Sequence, residues 1–205
     1  MKILYYTNDT VVESEIQDFL SQNNDVTRIT ERPTTDNLKG LKFDILISDR
    51  SRFIIPINVI EMFDGLICNL HPSFLPFNRG DQPLLWSAVE GTPYGVSIHQ
   101  VSEKFDEGNI ISQTRLNLPE ELTLHAAYMI VRTHMVDLFK TSWSTGLLIE
   151  SLRNNKSMIY NNVNNGTTKS RAQGRRAVSM LPNGWDTTIK YLKLNRNDFL
   201  NIAGN

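Results

Sequence analysis

The sequence is poor in the residues that staple small proteins or hold metals. One cysteine in 205 residues excludes an intramolecular disulfide framework, and with four histidines it provides no thiolate metal cluster. No metal site is expected. Glycine is absent before Gly40. A dinucleotide-binding sheet places closely spaced glycines directly after its first strand, because the pyrophosphate needs close backbone approach. Here that turn reads Thr7-Asn8-Asp9-Thr10, and a Walker loop is missing too. Both absences argue against an ordinary NAD oxidoreductase or a nucleotide triphosphatase. Neither sign of charge is in excess, with 21 Lys and Arg against 22 Asp and Glu. Nucleic acid and anionic membrane are therefore poor candidates for the main partner. No apolar run approaches membrane-spanning length, and Met1 to Thr7 reads as a first strand rather than a secretory signal. A cytoplasmic location is the default expectation.

What is present alternates between strand and helix patterns. Lys2–Thr7 is a candidate buried strand, and Val11–Leu20 has apolar residues at helical spacing, with Asn8, Asp9 and Thr10 as capping choices. Val26–Ile29 and Phe43–Ile47 are further strands, the latter ending in the polar turn Ser48-Asp49-Arg50. Pro56 suits the first turn of a helix through Val59, Ile60 and Phe63. Asp64-Gly65 breaks it before a strand from Leu66 to His71. Asp81–Glu90 is a helix with Pro83 in its first turn, and Tyr94–Val101 and Asn109–Leu118 are strands whose short link makes them antiparallel neighbours. Leu122–Phe139 carries an apolar face at helical spacing, with Thr123 as a cap; it ends near Ser142 to Gly146, and a shorter helix covers Leu147–Leu152. Arg153–Gly174 is polar and loop-like, with Met158-Ile159-Tyr160 a short strand inside it. Leu181–Asp186 turns into a last helix through Ile189 and Leu192. This order predicts an α/β fold with a largely parallel sheet, flanked by helices and extended by antiparallel strands. Functional groups in such sheets gather beyond the carboxyl ends of the strands.

His71 lies at such an end. A strand period of two puts Asn69 and His71 on one face and turns Cys68 away, so Cys68 is a poor nucleophile candidate. Asp106 belongs to the acidic turn Phe105-Asp106-Glu107-Gly108. A neutral imidazole takes a proton near pH 7, a carboxylate orients it, and an amide donates to an oxygen that gains negative charge. Together the three suit acyl transfer to an amine or hydroxyl. In the competing structural reading, Asn69 and His71 cap a strand end and Asp106 caps the turn around Gly108.

Four stretches carry a resemblance. They are Asn69-Leu70-His71-Pro72-Ser73-Phe74-Leu75-Pro76, Asn78-Arg79-Gly80, Gly95-Val96-Ser97-Ile98-His99 and Phe105-Asp106-Glu107-Gly108-Asn109-Ile110-Ile111. They resemble the core of the formyltransferases that use 10-formyltetrahydrofolate, with an N-x-H-P-S-x-L-P pattern followed by D-x-G. His71 and Asp106 are 35 residues apart. The resemblance implies a Rossmann-like catalytic domain over residues 1–153 and a short C-terminal extension over 154–205, loop plus terminal helix, not an independent domain. It implies that Asn69 polarises the formyl carbonyl, that His71 shares in stabilising the charge and relays a proton, and that Asp106 orients His71. The acceptor-side stretch from Leu75 to Ser87, Glu90 to His99, Ile54 to Ile60 and Gly184-Trp185-Asp186-Thr187 are similar to the branch that formylates dTDP- or GDP-linked amino-dideoxy sugars. An example is dTDP-4-amino-4,6-dideoxyglucose, and such sugars are destined for bacterial surface polysaccharide such as O-antigen. The other acceptor to weigh is glycinamide ribonucleotide, and the non-enzyme alternative is a catalytically silent sugar-nucleotide binding protein. The usual sugar enzymes are somewhat longer, so this chain would be a minimal member.

For folate, Phe53, Ile54, Met62 and the backbone of Leu66, Ile67 and Cys68 would form one wall of a slot, with Val101 and Phe105 on the other. Core filling is the alternative for each. For the sugar nucleotide, Asn78, Arg79, Tyr94, His99 and Trp185 are the candidates, with His99 equally able to be a hydrogen-bonded core histidine and Arg79 a surface salt bridge. Lys169, Arg171, Arg175 and Arg176 would clamp a diphosphate or line a solvated basic face. His125 and His134 lie on the long helix and are expected to be structural. The apolar face of that helix, or the strand edge near Asn109–Leu118, would support a homodimer.

Overall fold

A computed structural model describes residues 1–8, 14–154 and 166–203, with Ile202 and Ala203 as backbone only. The expected strand at Met158–Tyr160 lies outside the described residues. The chain divides into two compact units. The first comprises Met1–His71, Ile98–Ser112 and Val136–Asn161, and the second Pro72–Ser97, Gln113–Met135 and Asn162–Asn205.

The first unit is built on strands β1 (Lys2–Tyr6), β2 (Asp25–Ile29), β3 (Ile45–Asp49) and β4 (Ile67–His71). Pairing is parallel for β1 with β2, β1 with β3 and β3 with β4. Strands β6 (Tyr94–Gln100) and β7 (Ile110–Leu116), of which residues 98–100 and 110–112 belong to this unit, follow in the sheet order β2-β1-β3-β4-β6-β7. Direction changes at β6. The Val101 amide donates to the Ile67 carbonyl while Asn69 stands opposite His99, so one number rises as the other falls. The Gln100 amide likewise donates to the Asn109 carbonyl across the β6–β7 turn. The sheet is thus mostly parallel with antiparallel additions, as expected.

β1 and β3 are buried along both faces, which is why they read as continuous apolar runs rather than alternating ones. On one face Leu4, Tyr6, Leu46 and Ile67 pack with Ile55, Val59 and Phe63 around α2 (Ile57–Met62), and Val101 joins that cluster. The polar turn expected at Ser48 begins later, because Ser48 and Asp49 complete β3 and are both buried. Asp49 tolerates burial through Tyr5, whose hydroxyl donates to its Oδ2 at 2.6 Å. The Ser14 hydroxyl lies 2.6 Å from the same phenol oxygen, and its oxygen accepts from the Gln17 amide to cap α1 (Glu15–Ser21). Ser14 is therefore the cap, in place of Asn8, Asp9 or Thr10.

Cys68 is fully buried on β4, and desolvation pushes its thiol from about 9 up to about 12. A thiol so placed should not react with an aromatic disulfide reagent until denaturant opens the sheet. Labelling of the native protein at the rate of a free thiol would contradict this placement. The sign for stability follows. The unfolded chain releases this proton from about pH 9 while the fold retains it to about 12, so stability falls as pH rises through that window.

The second unit holds β5 (Arg79–Gly80), α3 (Pro83–Glu90), the first part of α4 (Leu124–Ser144), β8 (Thr168–Lys169), α6 (Arg171–Ser179), α7 (Ile189–Leu194) and α8 (Arg196–Ala203), while α5 (Leu147–Asn154) belongs to the first. Thr123 caps α4 by accepting from the Ala126 amide. Two findings differ from the sequence reading here. Residues 166–203 contain a strand and three helices rather than a loop and one helix, and β8 pairs in parallel with β5 through Arg79↔Thr168 and Gly80↔Lys169. Gly80 permits that approach, since a Cβ there would meet the Lys169 carbonyl oxygen at 2.2 Å. α6 starts at a capping box formed by Ser170 and Gln173.

Asn78 and Arg79 are consumed by this pairing. Asn78 is fully buried, its amide nitrogen facing Glu90 Oε2 at 2.7 Å and Thr167 Oγ1 at 2.8 Å, its oxygen accepting from the Ser87 and Thr92 hydroxyls. Arg79 is 3% exposed and its Nε donates to Thr168 Oγ1 at 3.1 Å. Lys169 pairs with Glu90 and lies 4.7 Å from the centre of the Trp86 ring. Asn78→Ala should cost about 2–3 kcal/mol of stability, because it leaves buried partners unsatisfied. Chemical denaturation would measure it, and a loss below about 0.5 kcal/mol would contradict the assignment. Among the described residues no helix is long and apolar enough to cross a membrane.

Candidate active site

All four groups of the site belong to the first unit. β4 delivers Asn69 and His71 from one side, two positions apart. β6 delivers His99, and the turn between β6 and β7 delivers Asp106. Asn69 Nδ2 donates to Asp106 Oδ1 at 3.1 Å and lies 3.1 Å from His99 Nε2. His71 Nδ1 is 3.4 Å from Asp106 Oδ2, and His99 Nε2 is 3.2 Å from Asp106 Oδ1. The two imidazoles stand edge to face at 6.3 Å between centroids. His99 Nδ1 donates to the Gln100 carbonyl at 2.8 Å. The carboxylate therefore touches both rings and the amide. It is only 9% exposed and His71 is 5% exposed, so these polar contacts are screened little by solvent.

The turn has physical reasons for its residues. Asp106 adopts φ +51°, a left-handed conformation that aspartate tolerates better than most residues. Gly108 is required by crowding. A Cβ at this position would lie 1.8 Å from the Gln100 carbonyl oxygen, the same oxygen that accepts from His99 Nδ1. The D-x-G pattern is thus one carboxylate aimed inward and one glycine that lets its turn close.

Of the candidates for the folate slot, Phe53, Ile54, Met62 and Phe105 are exposed in the first unit, at 44%, 37%, 47% and 48%. Large apolar side chains left in solvent suit a flat apolar ligand. The side chains of Ile67 and Cys68 are core, leaving only their backbone for a ligand, Leu66 is partly buried, and Val101 packs into the core.

The acceptor candidates fare unevenly. Asn78 offers no surface for a substrate to touch, and Arg79 offers almost none. Tyr94 lines an open cleft of about 500 Å³ in the second unit with Thr92, Arg115 and Asn117. Burial and the charge of Glu120 push its phenol up to about 12. Trp185 is 36% exposed in a 3-10 turn, edge-on to Tyr128. His99 is enclosed by the other site residues rather than open to a ligand. Of the basic cluster, Lys169 is occupied by Glu90, while Arg171, Arg175 and Arg176 are exposed along α6. Sequence reasoning weighed His99 as a hydrogen-bonded core histidine, which its burial and contacts bear out, without naming Asn69 and Asp106 as its partners. The only signal was the alternation that places Ser97 and His99 on one face of β6, and the register opposite β4 is invisible in the sequence.

Among the described residues no group of three or more His, Cys, Asp or Glu is arranged to hold a metal ion. The arrangement suits polarising a carbonyl, bearing charge beside it and moving one proton.

Comparisons with known proteins agree with this chemistry. The model of the Formyl transferase family matches residues 11–140. The formyltransferase PseJ from Anoxybacillus kamchatkensis, solved with UDP-4,6-dideoxy-4-formamido-L-AltNAc and tetrahydrofolate, superposes with a TM-score of 0.80 at 28% identity, covering 94% of this chain and 98% of that one. A dTDP-4-amino-4,6-dideoxyglucose formyltransferase of Mycobacterium bovis is 37% identical over 73 residues, 35% of this chain and 30% of the relative. A GDP-perosamine N-formyltransferase of Brucella melitensis is 34% identical over 86 residues, 42% and 33% of the two chains. The stretch matched is thus about a third of the length of these curated relatives, whereas 98% of the PseJ chain is covered. With the family model matching well over half of its residues, the chain belongs to the formyl transferase family.

Proposed function

We propose that the protein transfers the formyl group of 10-formyltetrahydrofolate to the amine of a nucleotide-linked amino-dideoxy sugar. The observation that carries this reading is the convergence of Asn69, His71 and Asp106, with 3.1 Å and 3.4 Å separations, in a member of the formyl transferase family. Phe53, Ile54, Met62 and Phe105 would hold the pterin, and the folate supplies an activated formyl group. The amine must be neutral to attack. Its nitrogen bonds to the formyl carbon as the bond from that carbon to N10 breaks. The proton lost by the amine equals the one gained by N10, and His71 is suited to carry it. Asn69 donates to the formyl oxygen as negative charge grows there, in a site largely shielded from water.

The sugar is proposed to be a 4-amino-4,6-dideoxyhexose, since the names of a dTDP-linked and a UDP-linked relative both contain a 4,6-dideoxy sugar with nitrogen at position 4. The test is incubation with 10-formyltetrahydrofolate and dTDP-, GDP- and UDP-linked amino sugars beside glycinamide ribonucleotide, following formyl gain by mass spectrometry. Product from glycinamide ribonucleotide alone, or ligand binding without any product, would remove this reading. Cytoplasmic residence, assembly as a homodimer and a role in surface polysaccharide belong to the same proposal. Sedimentation of the purified chain checks the dimer.

Asn69→Ala should raise the barrier by about 3 kcal/mol if the amide is an oxyanion donor. The loss should fall on kcat. A change confined to apparent affinity for the sugar would make Asn69 a substrate-positioning residue instead.

A further inference from the structure

Three atoms of the site form a nearly equilateral triangle. Asn69 Nδ2 is 3.1 Å from both His99 Nε2 and Asp106 Oδ1, and these two are 3.2 Å apart. The amide nitrogen only donates, and an ionised carboxylate oxygen only accepts. The third corner depends on where His99 carries its hydrogens. Its Nδ1 faces the Gln100 carbonyl, which has none to give, so Nδ1 bears one. A neutral His99 would then turn a lone pair at Nε2 toward a carboxylate oxygen, in a position only 2% exposed. Asn69 relieves little of that repulsion, since one N–H shared between the two atoms serves each weakly. Equal sides make its two partners subtend about 60° at Nδ2, whereas the two N–H bonds of an amide diverge by about 120°. Turning the amide over would bring its oxygen against the carboxylate. A second hydrogen on His99, at Nε2, removes the conflict. Two donors then converge on Asp106 Oδ1, one of them cationic.

We propose that His99 is a positioning residue of the site and the seat of its positive charge. Its doubly protonated ring holds Asp106 Oδ1, leaves one N–H of Asn69 for the formyl oxygen, and leaves His71 uncharged. The inference rests on the formyl-transfer reading for its consequence, though not for its geometry. A single imidazole cannot both supply positive charge and accept the amine's proton at the same moment. Two imidazoles on the two oxygens of one carboxylate divide those tasks, His99 holding charge at Oδ1 and His71 taking the proton beside Oδ2. The titratable groups that face His99 among the described residues are Asp106, from the β6–β7 turn, and His71, from β4.

Nitrogen-15 NMR of the intact protein labelled at histidine tests this without substrate. Spectra of His71→Ala and His99→Gln would assign the two rings. At neutral pH His99 is expected to show both ring nitrogens protonated and His71 only one. A singly protonated His99 would overturn the proposal, whether or not the protein formylates a sugar. The second arm is kinetic. In His99→Gln the new amide can still donate to Asp106 but brings no charge. kcat should fall about tenfold or more, with the sugar KM within about twofold. The acid limb of the pH–kcat profile should move to higher pH, because the carboxylate then holds a proton on His71 more firmly. A His99→Gln enzyme with the wild-type profile and rate would also overturn it. Should that variant fail to fold, the wild-type spectrum, assigned from His71→Ala and the pH titration of the remaining histidines, still decides. Absence of formyl product from the wild type would count against the functional reading alone.

Discussion

His71→Ala and Asp106→Asn are each expected to lower kcat on the order of 10³-fold while the protein still unfolds cooperatively. The reasoning is geometric. Asp106 is in contact with Asn69, His71 and His99 together. Asparagine in its place keeps the shape but removes the charge, so His99 loses its ion pair, and His71 and Asn69 face a weaker partner. Loss of His71 removes the group suited to take the amine's proton. The double variant should be little worse than either single one, since residues that act as a unit lose their function together. Formylation of the sugar nucleotide measures all three, with thermal unfolding as the control. Near-normal turnover in both single variants would dispose of the site.

Gly108→Ala is expected to be nearly as damaging, through the backbone rather than through chemistry. The added methyl meets the Gln100 carbonyl oxygen, and backbone cannot swing aside as a flexible side chain does. Either the turn opens and withdraws Asp106, or the carbonyl moves and releases His99 Nδ1. We expect a stability loss of about 1–3 kcal/mol and a fall in kcat comparable with that of Asp106→Asn. Glu107→Ala is the control in the same turn. Its ion pair with Lys104 is exposed on the lysine side, so its effect should stay within about 0.5 kcal/mol. A Gly108→Ala protein with wild-type melting and turnover would refute the crowding argument.

Much of this was legible beforehand because local rules and tertiary structure agree. The apolar runs of β1 and β3, the break at Asp64-Gly65 before β4 and the two-residue spacing of Asn69 and His71 each follow from a strand buried in a parallel sheet. Other features resisted. Ser14 caps α1 with a serine that also serves Tyr5, and nothing local distinguishes it from Asn8 or Thr10. Ser170 and Gln173 spell a capping box at the start of α6, a signal present in the sequence and masked by its polar surroundings. Asn78 and Arg79 look like binding residues because they are polar beside a motif, yet both are buried against the strand at Thr168. Such partners lie far off in sequence, where pattern rules have no reach.

The pairing of β5 with β8 also bears on how the chain reaches its native state. The Asn78 amide finds Thr167 across 89 positions of sequence. Closing a loop of that length costs about 4 kcal/mol in chain entropy before any contact repays it. The second unit is assembled from three separated stretches, so it cannot be finished until residues beyond Gly166 have been synthesised. A nascent chain halted just before them should therefore be cut readily by protease around Asn78 to Gly80, and should become resistant once β8 emerges.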